Sequence, residues 1–366
     1  MTIVFPCSKI DALFDYYRIA GPLIRLLSPE WAHNLSVSIL KTGLVPRQPR
    51  IDDPSLKITL WGRTFPNPVG LAAGYDKNAE VTDALLGQGF GFVEVGTVTP
   101  KPQPGNPQPR MFRLVEDKAV INRMGFNNEG VERVAGNLTR RRRQAGIVGV
   151  NLGKNKTTED AASDYEKGVQ VLGPLADYLV MNVSSPNTPG LRALQGRDAL
   201  AELVGRVRQA MLLLPDPPPL LLKIAPDLTE QDQRDIADVV LQAELDGLIV
   251  SNTTIARPDG LISDNKVEVG GLSGPPLFDP STRVLSQMYR LTGGRLPLIG
   301  VGGIATGAQA YAKIRAGASL VQLYTALIYQ GTAQVTRINR ELASLLRRDG
   351  FATVSAAVGA DHASAG

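Results

Sequence analysis

The feature that most narrows what this chain can fold into is a series of eight short apolar segments separated by helix-like stretches. The segments are NPVGLAAG from Asn67, FGFVEVGTVT from Phe90, GIVGVNLG from Gly146, DYLVMNVSS from Asp177, PLLLKIAPD from Pro219, DGLIVSNTT from Asp246, LPLIGVGGI from Leu296 and SLVQLYTAL from Ser319. Between them lie DALLGQ, EDAASDYEKGVQVL, EQDQRDIADVVLQAE and GAQAYAKIRAG. Strands alternating with helices predict an α/β architecture with parallel strands. Eight of them in one domain of this size predict a (β/α)8 TIM barrel.

Each segment stays apolar until its C-terminal end, where Gly74, Thr97, Asn151, Asn182, Lys223, Asn252, Gly303, and Tyr324 with Thr325 appear. In a barrel these ends meet at one face, the face that carries barrel active sites. Packing alone gives no reason for eight polar strand ends.

Two ends suggest a phosphate. GVGGIATG at residues 300–307 and LYTALIYQG from Leu323 follow the seventh and eighth strands, where barrels bind phosphates with backbone N–H groups and a short helix N-terminus. The dinucleotide pattern fails at its third glycine, replaced by Ala305. A phosphate-bearing cofactor ringed by Asn, Thr and a single Lys points to flavin mononucleotide (FMN). Lys223 then stands as a cation beside the flavin, or alternatively as a Schiff-base lysine of an aldolase; pattern alone does not separate the two.

Composition excludes several classes. The 366 residues are 43% hydrophobic and carry a formal charge of +4, too mild to argue for nucleic acid. The basic block Arg140 to Arg143 reads as the solvated end of a helix. The single cysteine, Cys7, allows no internal disulfide and no cysteine metal cluster, and no metal site is expected. No apolar run reaches the eighteen residues of a membrane-spanning helix, and the start lacks the pattern of a signal peptide. Residues 1–45 read as two short helices, the second opened by Ser28 as N-cap with Pro29 at its first position. Leu13, Phe14, Tyr17, Leu23, Ile24, Leu26 and Leu27 supply apolar surface, and Trp31, Leu35 and Ile39 repeat along one face. Pattern leaves open a helical cap on the barrel or an interfacial hairpin facing a membrane or a lipophilic ligand. Residues 46–350 are expected to form the barrel, and the tail SAAVGADHASAG, within residues 351–366, to be disordered.

The loop MNVSSPNTPGLRALQ, residues 181–195, poses the chemical question. It follows an apolar strand yet holds no His, Cys, Asp or Glu, so serine is its only plausible proton carrier.

GLAAGYDKNAE, GFGFVEVGTVTPKPQPGNPQPRMFRL, AVINRMGFNNEG, GVNLGKNK, NVSSPNTPGLRALQ, LLKIAPDL, VSNTTIARP, GGLSGPPL and IRAGASLVQLYTALIYQG occur in this order from about residue 28 to about residue 335. Together they resemble the class 2, quinone-dependent dihydroorotate dehydrogenases. That resemblance implies an FMN-containing barrel that oxidises dihydroorotate to orotate in pyrimidine biosynthesis and passes electrons to a membrane quinone. It implies Ser185 as the base, taking a proton from C5 while hydride leaves C6 for the flavin, with Thr188 next in a relay; Ser184 reads instead as a turn-capping residue. Substrate contacts are implied at Lys77, Asn122, Arg123, Met124, Gly125, Phe126, Asn182, Asn187, Asn252 and Thr253. Cofactor contacts are implied at Ala72, Ala73, Gly74, Tyr75, Asp76, Thr97, Asn151, Asn182, Lys223, Ser251, Gly274, Gly303, Tyr324 and Thr325. His33, Arg113 and Tyr324 match a quinone tunnel formed with the N-terminal helices. The expected setting is a monomer bound peripherally to the cytoplasmic side of an inner membrane. The rivals are another flavin barrel, a phosphate-binding aldolase or isomerase, and a non-catalytic membrane scaffold.

Overall fold

The computed structural model describes residues 15–141 and 146–362. Cys7, Leu13, Phe14, Arg142, Arg143 and residues 363–366 lie outside the described residues. Eight parallel strands close into a barrel: β1 Val69–Leu71, β2 Phe92–Val98, β3 Ile147–Leu152, β4 Tyr178–Asn182, β5 Leu220–Ile224, β6 Gly247–Val250, β7 Leu298–Val301 and β8 Ala318–Leu323. Each pairs with the next in sequence, and Val321 of β8 lies opposite Val69 of β1 to complete the circle. All their residues are buried except Val301. That burial on both faces is why the segments read as apolar runs rather than as alternating strands.

Helices such as Ala161–Leu172, Glu230–Gln242 and Gly307–Arg315 cover the outside. Thr229 and Asp232 form a reciprocal capping box at the start of Glu230–Gln242, satisfying donors that a helix start leaves open. The lower end of the barrel is plugged by an antiparallel hairpin, Ile58–Leu60 with Arg63–Phe65. Its Trp61 indole N–H donates to the Asp246 carbonyl at 2.9 Å, and Phe65 packs edge-to-face on Phe92 at 5.4 Å.

The upper end carries a sheet that strand counting did not anticipate, made of Met111–Leu114, Ala119–Asn122 and Gly271–Ser273. It belongs to long excursions after β2 and β6, and it walls one side of the mouth. Over that mouth sit α1, Tyr17–Ile24, and α2, Pro29–Lys41. Pro29 does open α2, although the Ser28 side chain makes no capping hydrogen bond. The pair is tied down by Tyr17 Oη donating to the Ile328 carbonyl at 2.7 Å. Arg113 Nη1 donates to the carbonyls of Arg25 and Leu27 at 3.1 and 2.7 Å.

The expectation of a disordered tail is corrected as far as His362. Residues Val354–Ala357 form a short helix whose Val354 and Ala357 are fully buried. His362 then stacks on Tyr289 with ring centroids 4.9 Å apart. Small side chains that look like disorder in composition here permit close approach, as where the Gly359 N–H meets the Ile314 carbonyl at 3.1 Å.

Candidate active site

The floor of the mouth is organised by a carboxylate that sequence reasoning missed. Glu94 sits within β2, fully buried, and accepts from Asn151 Nδ2 at 2.8 Å, Gln322 Nε2 at 2.7 Å and Tyr178 Oη at 3.3 Å. Lys223 Nζ lies 3.8 Å from it. A carboxylate only accepts, so it fixes the sense of every amide above it. Asn151 must turn its Oδ1 upward, where it accepts from Thr97 Oγ1 at 2.5 Å and Asn182 Nδ2 at 3.1 Å. Asn182 in turn presents Oδ1 to Ser184 Oγ at 2.9 Å and to Asn252 Nδ2 at 3.3 Å. Burial lowers the Lys223 pKa and the Glu94 charge raises it.

Above this ladder a single cavity is lined by Ala72, Ala73, Gly74, Lys77, Thr97, Asn122, Met124, Gly125, Phe126, Asn182, Ser185, Asn187, Lys223, Ser251, Asn252, Thr253, Gly274, Gly303, Tyr324 and Thr325. The structure thus brings together most of the residues named from sequence. Ser184 holds the turn through Asn182, as its capping role implied. Ser185 Oγ accepts from the Asn187 N–H at 3.3 Å, and among the described residues its own O–H donates to nothing. Thr188 Oγ1, three residues on, is buried with no hydrogen-bond partner among the described residues. Arg192 clamps the loop from below, donating to the Ser184 and Thr253 carbonyls, each at 3.0 Å.

Four of the residues named from sequence stand elsewhere. The Asp76 carboxylate caps the turn beneath it, accepting from the Glu80 and Val81 N–H groups and from Thr82 Oγ1. Arg123 turns outward to Glu268 and stacks over Phe112. Asn151 lies in the floor and does not line the cavity. Tyr75 lines a second, apolar cavity together with His33, Arg113, Leu35, Met111 and Tyr324. Tyr324 belongs to both cavities and, with Met111 and Ile328, forms the wall between them. Its ring meets Tyr75 at 5.8 Å, and Tyr75 meets His33 at 5.1 Å, both edge-on. Burial drives the His33 pKa down to about 3, so its imidazole is neutral at physiological pH.

The cavity contains a cradle suited to an anion. Gly303 has φ +75°, and a Cβ there would stand 2.5 Å from the Phe278 Cβ, so the turn is shaped for glycine. The helix after β7 does not offer its N-terminus, because Glu341 takes the N–H groups of Gly307 and Ala308 at 2.7 and 3.2 Å. An anion would meet the turn at Gly302 and Gly303 and the chain at Thr325 instead. Gln322 Oε1, in the cavity floor, is buried with no partner among the described residues, an acceptor waiting for a donor from a bound group.

Lys77 supplies a titratable cation in the cavity wall. Burial, with Arg110 nearby, lowers its pKa to about 8. An anionic ligand paired with it binds the charged form. Affinity for an anionic ligand at this position is therefore expected to be constant below pH 8 and to weaken by up to about tenfold per pH unit above it. Titrations from pH 6.5 to 9.5 check this, with Lys77→Arg expected to hold the affinity flat.

A closed parallel barrel with a polar, cation-bearing mouth defines a TIM-barrel enzyme. A family model described as Dihydroorotate dehydrogenase matches residues 55–346. A dihydroorotate dehydrogenase (quinone) of Rhodospirillum rubrum is 62% identical over 350 residues, covering 95% of each chain. The mitochondrial dihydroorotate dehydrogenase (quinone) of Mus musculus is 54% identical, over 93% of this chain and 88% of that one. The solved structure of the Eimeria tenella enzyme in complex with ferulenol superposes with a TM-score of 0.88 at 46% identity, covering 91% of this chain and 96% of that one. The chain belongs to the dihydroorotate dehydrogenase family, in its quinone-dependent class 2.

Proposed function

We propose that the chain oxidises dihydroorotate to orotate in pyrimidine biosynthesis, with Ser185 as the base and a membrane quinone as the final electron acceptor. The observation that carries the base is the placement of Ser185: a buried hydroxyl in the cavity wall, on a loop without any stronger base, three residues from the unpartnered Thr188 Oγ1. An isolated hydroxyl is a weak base. It can take the C5 proton if its own hydroxyl proton leaves in the same step, and we assign Thr188 as the next member of the relay, which passes its own hydroxyl proton on toward solvent as it receives that of Ser185. Burial keeps bulk water from competing. Lys77 holds the substrate carboxylate, and Asn122, Asn187 and Asn252 provide donors and acceptors for the amide ring.

The groups that would hold FMN are the backbone at Ala72 to Gly74 and Gly303, the polar side chains of Thr97, Ser251 and Thr325, and the Lys223 cation. When bound, FMN supplies the hydride acceptor and the two-electron store emptied by quinone. On the other side of Tyr324, the apolar cavity suits a quinone ring and tail, with Arg113 as its polar contact. Leu23, Leu26, Trp31 and Leu44 are 65%, 82%, 58% and 83% exposed around it, a face that fits peripheral docking on a membrane. Among the described residues no helix is long and apolar enough to cross one. We read the protein as a monomer on the cytoplasmic side of an inner membrane.

The test is a visible spectrum of purified protein under anaerobic conditions. The expected result is a yellow protein that bleaches on adding dihydroorotate and recovers on adding a ubiquinone analogue. A protein that remains colourless after reconstitution with FMN overturns the cofactor, and a yellow one indifferent to dihydroorotate overturns the substrate.

A further inference from the structure

The hairpin over the mouth also reaches the serine loop, by a route separate from the apolar cavity. Glu30, in the first turn of α2, faces Arg110 on the long excursion after β2. Arg110 Nη2 lies 2.6 Å from Glu30 Oε1, and its Nε lies 3.2 and 3.1 Å from the two carboxylate oxygens. Both side chains are largely buried, at 9% and 17% exposure. A guanidinium held along one edge by a carboxylate has its other edge fixed in direction. That other edge, Nη1, donates to the carbonyls of Pro104 at 2.6 Å and Asn106 at 2.8 Å. Asn106 then donates through Nδ2 to the carbonyls of Arg123 at 3.0 Å and Asn187 at 3.1 Å. Asn187 is the residue whose N–H holds Ser185 Oγ, and its side chain is pinned to the Asn122 carbonyl at 3.0 Å.

The turn has no slack. A Cβ at Gly105 would stand 2.3 Å from the Met124 carbonyl oxygen, and one at Gly125 would stand 2.7 Å from Asn106. Close-packed neighbours pass a shift on rather than absorb it. We propose that Glu30 is a positioning residue for proton abstraction: through Arg110 and Asn106 it sets where the Asn187 backbone, and with it Ser185 Oγ, stands. The hairpin then governs the dihydroorotate half of the reaction as well as the quinone half. This rests on Ser185 being the base.

The test uses the full-length, FMN-loaded protein without quinone, so that the hairpin's role as a quinone site has no influence on the readout. The limiting rate of anaerobic bleaching by dihydroorotate is measured for Glu30→Ala, Asn106→Ala, the double variant and Ser185→Ala, with orotate affinity taken from the flavin spectrum. At pH 6, where Lys77 is charged, Glu30→Ala and Asn106→Ala are each expected to bleach roughly tenfold more slowly, with orotate affinity within about twofold, since misplacement by a fraction of an ångström lowers rate more than binding. The double variant is expected to be no slower than the slower single one, the mark of one shared path. Arg110→Lys, which keeps the charge but not the two-edged geometry, is expected to match Glu30→Ala and covers the case in which the alanine variant fails to fold. Wild-type bleaching in Glu30→Ala beside a slow Ser185→Ala overturns the positioning role alone, as do effects that multiply in the double variant. Wild-type bleaching in Ser185→Ala overturns the base and this inference together.

Discussion

Replacing Ser185 with alanine is expected to slow flavin bleaching by dihydroorotate by about 10²- to 10⁴-fold, the range that a positioned proton acceptor contributes. Flavin content and the absorption spectrum of the oxidised protein should be unchanged. Among the described residues the Ser185 hydroxyl makes one hydrogen bond, as acceptor from its own loop, so its loss leaves the fold intact. Thr188→Val, which keeps the shape and removes the hydroxyl, is expected to show a smaller loss in the same assay. A bleaching rate in Ser185→Ala within a factor of three of wild type would place the base elsewhere. On the proposed mechanism, in which the C5 proton leaves to this hydroxyl while hydride leaves C6, deuterium at C5 should slow wild-type bleaching when the two losses share a step.

The second large effect is expected at Lys223. Methionine there would fill a similar volume but leave Glu94 buried without its cation, and an unpaired buried charge costs about 3–5 kcal/mol. For a barrel of this size that corresponds to a fall in Tm of about 4–7 °C. Thermal unfolding of the flavin-loaded protein checks the value. Adding Glu94→Leu to Lys223→Met should recover part of the loss, because the remaining donors of Asn151, Gln322 and Tyr178 are neutral and their desolvation is cheaper than that of a lone carboxylate. Equal destabilisation in the single and double variants would show that the pair contributes packing rather than charge balance. Membership of the dihydroorotate dehydrogenase family sets aside the Schiff-base alternative for this lysine, and the Glu94 carboxylate beside it favours the charged amine over the neutral nucleophile.

What could be read from the sequence divides along physical lines. Strand count, closure and the placement of the site at one rim follow from apolar runs with polar ends, a signal that belongs to each segment separately. Glu94 escaped because it sits inside such a run, in FVEVG, yet it carried a signal. A strand alternates faces, so Glu94 shares the interior side with Phe92, and an acid on that side needs partners. Asp76 and Arg123 show the opposite failure. Both adjoin residues that line the cavity, but neighbours in a tight turn need not aim their side chains the same way, and these two aim at a turn and at an outer carboxylate. The mouth sheet was invisible because its three short strands come from two excursions far apart in sequence. The Glu30 to Arg110 contact, eighty residues apart, has no local signature at all.

The plug of Trp61 and Phe65 makes the barrel a blind vessel. Everything that enters or leaves does so across one rim, and α1 and α2 partition that rim into a wet doorway and a greasy one. If the apolar cavity takes the quinone as proposed, the timetable of turnover follows from this geography: orotate departs by the first while the oxidant waits in the second, and neither has to make room for the other. Inhibitors inherit the same separation. On that assignment, an oily compound lodged beside His33, Tyr75 and Arg113 would halt turnover while leaving the orotate doorway open, and no excess of dihydroorotate would dislodge it.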